Sequence, residues 1–492
     1  MTVDFSPSRP CRVSDIPQWD MEADIVVVGF GAAGASAAIE ARLAGARTLV
    51  FEVAAGGGGS AALSGGEIYL GGNGGTPVQR AAGFEDTTED FRRYLMLAGG
   101  PAADAARVDL YAEQAVAHYH WLVAQGVPFK GTYLPGKWLE PTTDDTLVYS
   151  GSEAAWPFAQ QARPCPRGHA AQLAGWGAGK KLMQCLMDRA LSLGADVHYS
   201  ARALTLVVDD HRQVLGLVVR IDGAPRFVRA LGGVILCSGG FISNEAMVRQ
   251  YAPAALACSV HTSAGNDDGS GIRMGLAVGA ATIQMEQFFS TMPNMPPDSL
   301  VKGIFVNEAG QRFINEDAYH GRVTHFILRQ SNSRAWLLLD NSTFARPLTN
   351  QDVEVHAVGE SWEEVEGELE LPAGSLTHTV QAYNDCAAQG QDPWFHKAPE
   401  WLQPLTEAPF AALSYSPADF PAAAFTLGGL STAPTGQVLN GDGDIVPGLY
   451  AAGRAACGLP RWGDSYSSGL SLGDSTFFGR QAALHAAGTI AS

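Results

Sequence analysis

Positive charge is scarce in this chain: 32 lysines and arginines stand against 50 aspartates and glutamates, a formal net charge of −18. Nucleic acids and anionic membrane surfaces need neutralising cations, and no compact Lys/Arg block supplies them, so neither is expected as a partner. Long apolar runs are missing as well. No uninterrupted span reaches the roughly 18 to 20 residues that cross a bilayer. The first residues, MTVDFSPSRPCRVSDIPQWDMEAD, carry acids and prolines where a secretory leader needs a basic start and an apolar centre. The expectation is a cytoplasmic protein without a membrane span. Cysteine is sparse: seven residues (Cys11, Cys165, Cys185, Cys237, Cys258, Cys386, Cys457), an odd number, with no C-x-x-C pair and no histidine at ligand spacing. They read as buried apolar fillers, and no metal site is expected.

What remains is a globular composition, 46% hydrophobic and 17% charged over 492 residues, enough for two or three cored domains. The organising stretch is Ala23 to Glu52, ADIVVVGFGAAGASAAIEARLAGARTLVFE. An apolar run (Ile25 to Val28) breaks at Gly29-Phe30-Gly31-Ala32-Ala33-Gly34, an alanine-rich helical pattern follows, and a second apolar run (Thr48 to Phe51) closes on Glu52. In such a strand–turn–helix–strand unit Gly29 permits the tight turn, Gly31 lets backbone approach a pyrophosphate and Gly34 lets the helix pack on the strand. Phosphates would sit on the free N–H groups of the helix start. Glu52 lies where a carboxylate accepts both hydroxyls of an adenosine ribose. The unit therefore predicts dinucleotide binding.

Directly after it comes a glycine-dense segment, Gly56 to Gly66, whose place beside the ribose carboxylate suits a close-approach loop along a long cofactor better than a linker. Residues 87 to 126 carry apolar side chains at helical intervals, and residues 128 to 175 are irregular. Gly175 to Lys181 hints at a phosphate loop but has alanine at 174 and lysine at 181 where that motif needs Gly and Ser or Thr. A helix over Lys180 to Leu193 leads to a strand at Ala195 to Tyr199. Alternating segments over Ala203 to Asp209, Val214 to Ile221 and Arg226 to Arg229 predict a small antiparallel insert joined to a parallel sheet, re-entered at Gly232 to Phe241. Another glycine turn and helix start lies at Gly265 to Gly271. From about Gln284, clustered Met, Pro and aromatic residues suit a separate domain lining an apolar pocket. Gly303 to Asp317 reads as two short strands about a glycine turn, residues 360 to 390 as a helix pair. Asp464 to Asp474 opens an alanine-rich final helix.

GFGAAG with Glu52, the SGG at Ser64 to Gly66, GVILCSGGF, GNDDGSGIRMGLAVGA, GIFVNEAGQRFINED and PGLYAAG, in this order, resemble the flavoprotein family of fumarate reductase and succinate dehydrogenase, and within it the 3-ketosteroid dehydrogenases. The resemblance implies an α/β protein: a Rossmann-like FAD-binding domain with a parallel sheet, from residues 1–280 and 427–492, and an inserted α+β substrate domain over 281–426. FAD is then the cofactor, and the family pattern carries it on Gly29, Gly31, Ala33, Gly34, Glu52, Ser60, Ala62, Ser64, Gly65, Gly66, Ala203, Ser238, Gly239, Asp268, Gly453, Ser471 and Leu472. The final helix start, near Ser471 and Leu472, would point its N–H groups at the flavin pyrimidine edge.

Fumarate reductases grip a dicarboxylate with histidines and arginines. Here the family's His-Thr-x-Gly-Gly becomes Phe425-Thr426-Leu427-Gly428-Gly429, its His-Pro-Thr becomes Met292-Pro293-Asn294, and Tyr319-His320 stand where the proton-donating arginine belongs. The anion clamp is replaced by an apolar lining with hydroxyls. Tyr319 with Ser465-Tyr466-Ser467-Ser468-Gly469 resembles the set of the 3-ketosteroid Δ4-(5α)-dehydrogenases; the Tyr-x-Gly-Pro-Gly block of the Δ1 enzymes is absent. A ketone acidifies its α C–H, so dehydrogenation needs a donor to the enolate oxygen and a base at the carbon while hydride leaves the β carbon for flavin N5. The resemblance assigns Tyr466 as oxyanion donor, Ser468 as the group nearest the C4 proton, and Tyr319 as its partner relaying the proton outward. Serine is a weak base, so Tyr319 must carry phenolate character or pass the proton on. The implied partners are a steroid and an electron acceptor of unidentified class. Rival readings are Δ1-dehydrogenation, enone or enoate reduction, a flavin-binding module without turnover, and a nicotinamide dehydrogenase.

Overall fold

The computed structural model describes residues 5–490. A nine-stranded sheet forms its centre. Thr48–Phe51, Met21–Val28, the second half of Ala224–Leu236 and Ile445–Ala451 run parallel side by side, and Asp196–His198 extends the row past Thr48–Phe51. Ile25, Val27 and Ile235 pack with the helices Ala32–Leu43 and Leu470–Gly488, and Val26, Val28, Val234 and Leu236 with the antiparallel strands and the segments after them. Both faces are thus buried, and Ile25–Val28 and Val234–Leu236 read as unbroken apolar runs.

The first half of Ala224–Leu236 pairs antiparallel with Val214–Ile221, which pairs with Arg202–Val208, so the antiparallel insert joins the parallel sheet as the sequence pattern predicts. The two strands expected at Arg226–Arg229 and from Gly232 are one, however. A register irregularity between Ala230 and Gly233, with Gly233 at φ +139°, takes up the offset without ending the strand.

The opening helix (Ala32–Leu43) starts directly after the first strand. Gly34 cannot carry a side chain: a Cβ there would lie 1.9 Å from the Gly29 carbonyl oxygen, so helix and strand touch backbone to backbone. The closing helix (Leu470–Gly488) lies against the opening one. Small residues permit the approach, since a Cβ on Gly479 would stand 2.4 Å from the Ala33 carbonyl.

A second body holds a four-stranded antiparallel sheet, in the order Ile304–Asn307, Ala335–Leu339, Phe410–Ser414, Val355–Gly359. The helix pair Trp362–Glu368 and Ser375–Ala387 packs Val365, Leu376, Val380 and Tyr383 onto Ile304, Trp336 and Leu338. The second strand expected within Gly303–Asp317 is not formed; a single bridge, Val306 to Arg312, replaces it. Arg312 draws that chain inward instead, its guanidinium buried against Glu316 (2.8 Å) and Asp392 (3.0 Å), and Lys397 adds a further cation at 3.3 Å from Glu316.

Between the two bodies, Phe288–Thr291 pairs antiparallel with Ala423–Thr426, setting Phe289 opposite Phe425. The irregular region 128–175 supplies Gly168–His169 and Leu147–Val148 to a three-stranded patch completed by Ile68–Tyr69. The cysteines are all free, four of them buried, in keeping with fillers. Among the described residues no helix is long and apolar enough to cross a membrane.

Candidate active site

One elongated cavity of about 820 Å³ runs from the first glycine turn to the start of the closing helix. Two of the helices whose first turns line it begin at glycine, Gly31 and Gly469, without a side-chain cap. At the closing helix Leu470 N donates to the Ser467 carbonyl (3.2 Å), and the positive ends of both helix dipoles face the cavity. Gly29, at φ +99°, makes the turn; a Cβ there would lie 2.5 Å from the Cys237 carbonyl.

Of the sequence-predicted cofactor residues, Gly29, Gly31, Ala33, Glu52, Ser60, Ala62, Ser64, Gly65, Ala203, Ser238, Gly239, Asp268, Gly453, Ser471 and Leu472 all lie on the cavity wall. Segments as far apart as 29–66, 203, 238–268 and 453–472 converge there. Two do not reach the wall. Gly34 sits under the turn as described, and Gly66 is pressed onto the start of the helix Ala178–Ser192, where a Cβ would be 2.3 Å from the Gly179 nitrogen. Both are packing positions, because backbone crowds the space a side chain would take.

The Glu52 carboxylate accepts N–H groups from Phe30 (2.8 Å) and Ala54 (2.8 Å). It is thus aimed by its own turn, and each oxygen keeps acceptor capacity for a ribose hydroxyl. Ser238 Oγ is buried without a partner, a polar atom that a ligand at this wall would satisfy. The cavity fits a dinucleotide along its length.

At the far end stand the hydroxyls. Tyr466 and Ser468 line the cavity. Tyr319 lies just behind the wall, 3% exposed, and its hydroxyl is 2.8 Å from Ser468 Oγ. Tyr466 donates to Ser471 Oγ at 3.0 Å and is walled in by Phe289 and Phe425, with ring centroids 4.7 and 5.6 Å away. Burial pushes the Tyr466 phenol up to about 12 and Tyr319 well above its ordinary value, the latter further raised by Tyr466. Both phenols therefore stay protonated at neutral pH, which disfavours the phenolate alternative for Tyr319 and leaves the other, a hydroxyl-to-hydroxyl relay.

Residues 319 and 468 are brought together by a loop that sequence reasoning passed over. Ser468 N donates to the Ser150 carbonyl (2.8 Å), Ser150 Oγ donates to the Ser468 carbonyl (2.9 Å), and Tyr319 N donates to Ser152 Oγ (3.0 Å). The buried Glu153 carboxylate ties this loop down by accepting from Gly151 N (2.8 Å) and the Tyr69 hydroxyl (2.9 Å). The available signal was the serine- and acid-bearing stretch Ser150-Gly151-Ser152-Glu153 within the irregular region 128–175.

Two arginines on the wall were also missed. Arg454 pairs with Asp267 at 2.7 Å and lies over the Phe425 ring at 5.0 Å, and Arg202 pairs with Asp268 at 2.8 Å. Arg454 directly follows the PGLYAAG block and Asp267 lies in the GNDDG turn, so both motifs marked the place. His320 lines the cavity with Nδ1 2.6 Å from Thr291 Oγ1, and burial holds its imidazole down at about 3, hence neutral. Both wall arginines are thus paired with carboxylates, so neither is free to clamp a dicarboxylate.

Two glycine-started helices at one cavity, a carboxylate aimed by its own turn and a parallel sheet are the frame of a dinucleotide-binding protein. Residues 24–465 match the family described as FAD binding domain, and the chain belongs to it; its cofactor is FAD. The structure is similar to that of 3-ketosteroid-Δ4-(5α)-dehydrogenase from Rhodococcus jostii RHA1 in complex with 4-androstene-3,17-dione, with 41% identity, a TM-score of 0.92, and coverage of 97% of this chain and 99% of that one. The 3-oxo-5-alpha-steroid 4-dehydrogenase of Comamonas testosteroni is 29% identical over 89% of this chain and 94% of its own. The 3-oxosteroid 1-dehydrogenase of Mycolicibacterium smegmatis is 28% identical over 96% and 98%.

Proposed function

We propose that the chain is an FAD-dependent dehydrogenase that introduces the C4–C5 double bond of 3-keto-5α-steroids. The observation that carries this reading is the Tyr319–Ser468 hydroxyl pair, 2.8 Å apart, at the end of a flavin-sized cavity whose cations are neutralised. The likeness to the Rhodococcus and Comamonas enzymes supports it.

Bound FAD supplies the hydride acceptor. The wall residues named above hold it, with Glu52 at the ribose and the two glycine-started helices at the charged parts. Tyr466, a phenol that stays protonated, is the donor to the C3 oxygen and stabilises the enolate as it forms. Its present acceptor, Ser471 Oγ, orients it and yields to a better acceptor, a developing oxyanion. Ser468 Oγ receives the C4 proton while its own proton moves to the Tyr319 oxygen and the proton of Tyr319 passes outward, so neither group carries a full charge in the apolar wall. Phe289 and Phe425 exclude water from the reacting face. In this reading residues 1–280 and 427–492 form the cofactor domain and 281–426 the substrate domain, with a steroid as substrate and an external electron acceptor.

Holoprotein incubated with 5α-androstane-3,17-dione and an artificial electron acceptor should give a product whose new double bond NMR places at C4–C5. A C1–C2 alkene, or no turnover, would overturn the assignment.

A further inference from the structure

The steroid chemistry leaves Glu67, a buried group of the cavity wall, unused. Glu67 follows the Gly65-Gly66 pair, lines the cavity, is only 5% exposed, and has Oε1 buried without a hydrogen-bond partner. Its backbone abuts the catalytic turn: a Cβ on Gly469 would stand 3.2 Å from the Glu67 carbonyl carbon, and Tyr69 N donates to the Gly469 carbonyl (3.1 Å). On its other side a Cβ on Gly65 would lie 2.8 Å from Glu67 Oε2 and 2.9 Å from Glu140 Oε2, so two carboxyls face one point. Glu67 enters no ion pair among the described residues.

Two converging carboxyls without a cation, inside an apolar wall, keep at least one proton between them. Burial, then the charge of Glu140, pushes the Glu67 carboxyl up to about 8. Its field also raises Tyr319 and Tyr466, which puts it at the reacting end and not at the ribose end that Glu52 marks. A carboxyl that already holds its proton cannot be the base for C4; what it can do is donate. An apolar residue would pack there without the desolvation cost, so the acid needs a ligand acceptor to justify its position.

We propose that the Glu67 carboxyl donates a hydrogen bond to the bound flavin and so makes the ring easier to reduce. The inference rests on the FAD site alone and is independent of the steroid reading. Its test uses the holoprotein with sulfite, which adds to oxidised flavin more tightly as negative charge on the ring is better stabilised. Glu67→Leu should weaken sulfite binding about tenfold, the worth of one such hydrogen bond, and lower the two-electron midpoint potential by about 30 mV. Glu67→Gln, whose amide still donates, should stay within about threefold of the parent. The reduced-minus-oxidised infrared spectrum of the parent should contain a shifted carboxylic-acid carbonyl band that Glu67→Gln lacks. Unchanged sulfite affinity in Glu67→Leu overturns the proposal. Should that variant lose its flavin, the infrared comparison decides: absence of the acid band, or its survival in Glu67→Gln, overturns it.

Discussion

Replacing Tyr319 by phenylalanine removes one atom, the hydroxyl 2.8 Å from Ser468 Oγ, and keeps the ring that packs on His320 (centroids 4.0 Å) and Phe289 (6.2 Å). The stability change is small. One hydrogen bond worth about 1 kcal/mol is lost, and Ser468, on the cavity wall, can turn to water. A chain of this size should lose no more than about 2 °C in Tm. The kinetic effect is large, because the proton on Ser468 Oγ then has no outlet while the C4 proton arrives. Loss of one positioned acid–base group lowers kcat by roughly 10² to 10⁴. Substrate affinity, set by the apolar walls, should stay within about threefold. Steady-state turnover of Tyr319→Phe, Ser468→Ala and the double variant, each fully loaded with flavin, tests the relay. If the two hydroxyls act as a unit, the double variant is about as slow as the worse single one. Effects of the single variants that multiply in the double would refute the relay, as would a Tyr319→Phe enzyme retaining more than a third of parental kcat.

Ser152→Ala strips the acceptor from Tyr319 N inside the wall, so Tm should fall by several degrees, about 1–3 kcal/mol for an orphaned buried N–H, alongside a drop in kcat. Differential scanning calorimetry on flavin-loaded protein checks the first effect. Gly34→Ala would put a Cβ 1.9 Å from the Gly29 carbonyl oxygen, and the purified variant should be colourless by visible absorbance. Glu316→Gln leaves the buried Arg312 and Lys397 short of a counter-charge, and chemical denaturation should register a loss of about 3–5 kcal/mol. Glu67→Gln should raise apoprotein stability more at pH 8 than at pH 5. The folded carboxyl titrates near 8 against an unfolded 4.5, so the parent's stability falls as pH rises through that window. The difference is on the order of 3 kcal/mol and saturates above pH 8. Equal shifts at the two pH values would refute it.

The glycine turn, its flanking apolar runs and Glu52 were legible in the chain itself, because periodicity and steric demand act over neighbours and leave their mark locally. The same holds for the helix pair after 360 and the antiparallel hairpins before 232. By itself the sequence therefore determined a dinucleotide cradle and, by its likeness to a family, the flavin. Tertiary structure decided what depends on groups far apart in the chain. Tyr319 and Ser468 meet only because Ser150 and Ser152 hold both backbones, and burial then keeps the two phenols protonated. The same packing pairs Arg454 with Asp267 and Arg202 with Asp268, and leaves Glu67 facing Glu140 without a cation. Desolvation and charge pairing are properties of the assembled wall, and no single segment of the chain carries them.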